Sequence, residues 1–90
     1  MPTYRVLYNM TSRRFMDPAD VVNLGDYKEI TTVTANGPDD VFNQMNAIKG
    51  IELCCQLQVR SMSVGDLIQN VLTEEVTGCC GCGWKEVRFA

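Results

Sequence analysis

The apolar positions of the chain change period several times, and each change marks an element. From Thr3 to Met10, Tyr4, Val6, Tyr8 and Met10 alternate with Arg5, Leu7 and Asn9. A period of two among strand-forming residues predicts a first strand, one face firmly buried and the other mixed. Thr11 to Asp26 has no sustained period and reads as a long connection, with room for one helical turn after Pro18. Tyr27 to Ala35 holds Ile30, Thr31, Thr32, Val33 and Thr34, a β-branched run that predicts a second strand.

The clearest element follows at Asn36 to Gly50. Pro38 suits the first helical position, and Asp39 and Asp40 place negative charge at the positive end of the helix dipole. Val41, Phe42, Met45 and Ile48 form one apolar stripe, so the docking face is expected to centre on Phe42 and Met45. Lys49 and Gly50 then read as its close. A helix over Pro38–Lys49 is too short to be stable alone and needs a sheet to lie on. Beyond it, Leu53, Cys55, Leu57 and Val59 alternate with Cys54, Gln56 and Gln58, which predicts a strand within 51–59.

Arg60 to Asp66 is a turn-forming interruption, and the stretch after it reads two ways. Val64, Leu67, Ile68, Val71, Leu72 and Val76 fall at helical spacing, and Ser63-x-x-Asp66 has the form of a capping box. The other reading is a strand over Leu67–Val71, a turn around Thr73-Glu74-Glu75 and a returning strand from Val76.

A resemblance decides between them. Arg60-Ser61-Met62-Ser63-Val64-Gly65-Asp66-Leu67-Ile68, followed by Gly83-Trp84-Lys85-Glu86-Val87, resembles a group of small YodL-like proteins from phages, plasmids and bacterial genomes. Tyr4 to Asn9, Tyr27 and Val41 to Asn46 are similar to that group's opening strand and helix. The group's pattern, Arg-Ser-x-Ser-Val-Gly-Asp and two hydrophobic residues, implies a strand and hairpin after the Gly-Asp pair, and it implies no particular activity. The chain departs from it at Gly78-Cys79-Cys80-Gly81-Cys82, where bulkier strand residues are usual.

Composition narrows the function classes. Ninety residues with 46% hydrophobic and 21% charged content fit one domain with one modest core. Eleven acidic and eight basic residues, and no histidine, argue against a nucleic-acid partner, and Arg13-Arg14 is too short a basic patch to reverse that. Met1 to Met10 lacks the apolar stretch of a secretion signal, and no run is long enough to span a bilayer, so no membrane partner is expected. Five cysteines, an odd number without a secretion signal, are expected to stay reduced in a cytoplasmic protein.

Two groups of residues could carry chemistry. Cys79-x-x-Cys82-Gly83 matches half of a zinc knuckle, and Cys54 and Cys55 could supply the other half. Against a metal stand the adjacency of those cysteines, the absence of histidine and the wrong spacing. Buried free thiols filling a sheet explain the same residues.

Arg60, Ser61, Ser63 and Asp66 are the candidate binding residues: a cation, two hydroxyls and a carboxylate around Gly65. They could hold a phosphate or carboxylate, with Arg60 as the anchor. As turn chemistry, the serines cap, Gly65 takes positive φ, and Asp66 ties the loop to the backbone. On that second reading Gly65→Ala destabilises, while Asp66→Asn and Arg60→Ala cost little. A catalytic set is not visible, because a nucleophile would need a base other than histidine. There is no Gly-rich phosphate loop, and no cofactor is implied.

The sequence therefore predicts a single α+β domain over residues 1–90, a small mainly antiparallel sheet with one helix packed across a face. The expected function is a small cytoplasmic binding or accessory protein of phage or plasmid origin, not an enzyme, acting on an unidentified protein partner. A homodimer is among the arrangements left open. The alternative is a cysteine-dependent metal-binding domain, and a small enzyme comes third.

Overall fold

A computed structural model describes residues 1–12 and 15–90, so the Arg13-Arg14 pair lies outside the described residues. The elements are β1 (Thr3–Asn9), β2 (Val21–Val22), a 3-10 turn (Leu24–Asp26), β3 (Tyr27–Thr34), α1 (Pro38–Met45), α2 (Ile48–Leu57), β4 (Leu67–Asn70), β5 (Val76–Cys80) and β6 (Gly83–Phe89). One sheet runs in the order β2-β6-β5-β4-β1-β3. Every pairing is antiparallel except the short β2–β6 contact. The fold is α+β, with two helices where the sequence pattern predicted one.

Alternation along β1 sorts the core into two layers. Val6 and Tyr8 face the helices with Ile68, Val41, Met45, Cys54 and Met62. Leu7 faces the other way with Leu67, Val76 and Val87, and Val22 of the long connection packs against them. Leu67 and Ile68 are both fully buried, one in each layer. A strand buried on both faces has apolar neighbours at i and i+1, which is how β4 came to mimic a helical stripe. The hairpin reading of 67–80 holds, and Glu74, at φ 65, marks its turn.

The prediction for 36–59 needs correction. Lys49 and Gly50 do not close the first helix, which ends at Met45 with Asn46 as its C-cap. Ile48 opens α2, so the strand expected within 51–59 is helical. Gly50 is buried at the helix crossing, where a Cβ would stand 2.4 Å from the Gln44 carbonyl oxygen and 2.5 Å from that of Met45. A similar close approach explains Gly78, whose missing side chain makes room for buried Pro18 from the long connection.

Helix α1 starts as its sequence implies, with Pro38 in the first turn and Asp39 and Asp40 behind it. Asp40 Oδ2 accepts from Asn36 N at 2.9 Å, and Asp39 Oδ1 accepts from the Trp84 indole at 2.8 Å, fixing the helix to β6. The docking face centres on Val41 and Met45. Phe42 is only partly buried and meets Trp84 edge-on, with ring centroids 6.4 Å apart. Phe42→Ala is therefore expected to cost about 1–2 kcal/mol in denaturant unfolding, below the ~3–5 kcal/mol of a fully buried phenylalanine.

Candidate functional site

Arg60 and Asp66 lie six residues apart, and the turn between them brings them face to face. The Asp66 N–H donates to the Ser63 carbonyl at 3.2 Å, and Gly65 sits at φ 96, a conformation glycine adopts without strain. Gly65 N donates to the Cys79 carbonyl and Cys79 N to the Asp66 carbonyl, each at 2.9 Å, so the turn is stitched to β5 before β4 begins.

The guanidinium then grips the carboxylate with both terminal nitrogens, Nη1 to Oδ2 and Nη2 to Oδ1, each at 2.6 Å. Asp66 is 0% exposed, and its oxygens also accept from Asn9 N at 3.0 Å and Ser63 N at 2.9 Å. Arg60 further donates to the Asn9 carbonyl at 3.1 Å and the Ser61 carbonyl at 3.2 Å, with Ser63 Oγ at 3.3 Å. Its cationic carbon lies 4.7 Å from the Tyr8 ring centroid and 5.1 Å from that of Phe15. The hydrogen bonds it donates to Asp66 are the main reason the guanidinium is held above its ordinary pKa.

Of the four residues singled out by sequence, three meet here. Arg60, Ser63 and Asp66 form one network, while Ser61 is exposed and contributes its backbone carbonyl. The expectation that Arg60→Ala and Asp66→Asn cost little is corrected: Arg60 is paired with a carboxylate that is fully buried. The guanidinium's terminal donors are committed to protein acceptors, and its charge is matched within the chain. What the cluster does chemically is lock the end of β1, the 60–66 turn and the start of β4 together.

The cysteines are dispersed by the same fold. Cys54 and Cys55 are neighbours on α2, about 100° apart around the axis, so one is buried and the other exposed. The Cys54 sulfur is 3.4 Å from the Tyr8 hydroxyl, and burial first, then that contact, raises the phenol's pKa. Cys79 is buried in β5, and desolvation, followed by the charge of Asp66, pushes its thiol up to about 11. Among the described residues, no group of three or more His, Cys, Asp or Glu side chains stands where it could hold a metal ion.

All five thiols are free, and their reactivity should follow burial. In the native protein a thiol reagent should modify exposed Cys55 and Cys82 first, with Cys54 and Cys79 reacting only in denaturant. Stoichiometric zinc lost together with the fold on chelation would instead establish the metal-binding alternative.

A second feature escaped the sequence reading. A groove of about 640 Å³ lies between the outer edge of β3 and the start of α2, lined by Thr31, Thr32, Val33, Met45, Ile48 and Leu53 among others. Ile48 is 78% exposed on its rim, and Ile51 is exposed one turn on. The exposed isoleucines carried the signal. The apolar stripe of the sequence pattern places Ile48 on the buried face of one helix, whereas the structure opens α2 at Ile48 and leaves it exposed.

β3 is the last strand in the sheet order, so among the described residues its outer backbone groups have no strand partner. The chain matches no protein-family model, no curated protein and no solved structure.

Proposed function

We propose that the protein is a small binding module that acts through protein contacts, and that the groove between β3 and α2 is its contact surface. The observation that carries this reading is the coincidence of a large apolar groove, rimmed by exposed Ile48, with an unpaired sheet edge. Exposed apolar surface of this kind is costly in water and marks contact sites. The Arg60–Asp66 cluster serves this module from behind, by holding the sheet in register. An accessory role in a mobile genetic element rests on the resemblance of the Arg60–Asp66 motif alone. A cytoplasmic location accords with five free thiols.

Selection from a displayed random-peptide library against the wild-type protein tests the reading. Ile48→Asp is the matching control, because Ile48 is almost wholly exposed and an acid is favoured in the first turn of a helix. Selected peptides should lose at least about tenfold in affinity for Ile48→Asp. Peptides that bind both proteins equally would place the contact surface elsewhere.

A further inference from the structure

Resting on that reading, we infer that the groove receives an extended peptide segment, acidic at its ends and apolar between them, which adds to the sheet as a seventh strand beside β3. Three observations specify this occupant.

The first is the phase of the β1–β3 ladder. Ala35 N donates to the Pro2 carbonyl at 3.0 Å, and Val71 N to the Thr3 carbonyl at 2.9 Å on the other side of β1. With Tyr4 opposite Val33 and Val6 opposite Thr31, alternation turns the backbone groups of Thr31 and Val33 toward β1. Those of Thr32 and Thr34 point outward. The Thr34 carbonyl is occupied by the Gln44 side chain at 3.0 Å, while the N–H of Thr32 faces the open edge. Such an edge selects an extended backbone, as in β-strand addition.

The second is the placement of the groove on the helix side of that edge. A strand laid along β3 would send every other side chain into it, where Thr31, Val33, Ile48 and Leu53 form the walls.

The third is charge. Among the described cations, Arg5, Arg60 and Lys85 are ion-paired, whereas Lys28, Lys49 and Arg88 are in no ion pair. Lys49 lines the groove. Lys28 lies opposite Tyr8 on the helix side of β3, about 10 Å along the strand from Thr31. Glu29 is held by Arg5 at 3.2 Å, and exposed Glu52 does not line the groove. Counting Glu52 still leaves two cations against one acid here, in a chain whose net charge is −3. A second copy of this chain would bring its own Lys28 and Lys49 to the same edge, so the charge favours an acidic partner.

The test uses a synthetic peptide of about seven residues, with Glu, Ile, Val and Glu at alternate positions and Thr between them. A control peptide carries Lys in place of Glu. The Glu peptide should bind saturably, and the Lys peptide about tenfold more weakly or not at all. Thr32→Pro removes the outward N–H at an edge position that tolerates proline. It should weaken binding about tenfold, and peptide should slow exchange of the Thr32 amide in the wild type.

Equal binding to wild type and a folded Thr32→Pro would overturn strand addition while leaving the groove as a contact surface. Equal binding to Ile48→Asp as well would overturn both. No saturable binding of the Glu peptide at about 1 mM, or a preference for the Lys peptide, also overturns the inference. A wild-type dimer in sedimentation that Thr32→Pro dissociates would make the occupant a second copy and overturn it too. If circular dichroism shows Thr32→Pro unfolded, protection of the Thr32 amide and charge reversal in Lys49→Glu decide. Loss of both effects overturns the proposal.

Discussion

Arg60→Ala is expected to destabilise the domain by about 3–5 kcal/mol in denaturant unfolding, because it strands a buried carboxylate without its cation. Asp66 is 0% exposed, so solvent cannot take over the role of the guanidinium. Other groups lose the guanidinium at once, among them the Asn9 carbonyl, the Ser61 carbonyl and the face of Tyr8. Asp66→Asn should also be costly. Its amide nitrogen would replace an oxygen that now accepts from Asn9 N or Ser63 N, setting donor against donor. The internal control is the exposed pair Arg5–Glu29, where Arg5→Ala should stay within about 1 kcal/mol. A double-mutant cycle on Arg60 and Asp66 isolates the pair from the lost packing. Should Arg60→Ala unfold no more easily than Arg5→Ala, the ion pair would contribute nothing that its geometry implies.

That result also measures how far the sequence could be read. The residue types of the turn were legible, and so was the positive φ of Gly65, because turn chemistry is local. The pairing was not. Whether an arginine and an aspartate six residues apart are a solvated turn or a buried fork depends on Tyr8, Asn9 and Cys79 closing over them, and those contacts belong to other strands. β1, β3 and the start of α1 were readable because alternation and caps report on the backbone directly. α2 was not, because its interior positions are small, Gly50 and Cys54, while its large apolar residues Ile48, Ile51 and Leu57 remain exposed. The pattern of large apolar side chains thus described the outside of the helix. The groove was not legible for the same reason, since the stripe pattern turns Ile48, which stands exposed on its rim, toward the core.

Gly50→Ala tests the crossing of α1 and α2 by the sign and size of its effect. On intrinsic propensity, alanine within a helix is favoured over glycine by about 1 kcal/mol, and a glycine that merely ended α1 in a left-handed turn would be replaced at modest cost. The crossing of α1 and α2 dictates otherwise. The added Cβ would stand 2.4–2.6 Å from the Gln44 oxygen and from the carbonyl carbon and oxygen of Met45, and main-chain atoms cannot rotate aside as a flexible side chain could. The helices would have to separate, pulling Met45 and Cys54 from their contacts with Tyr8 and Ile68. A net loss of about 3 kcal/mol is expected, at the upper end of what overpacking costs, and thermal unfolding followed by circular dichroism measures it. The groove should widen in the same variant, because Gly50, Met45 and Ile48 all line it. A Gly50→Ala protein more stable than wild type would mean that the helices do not cross this closely. The wall of the proposed contact surface would then be misplaced along with them.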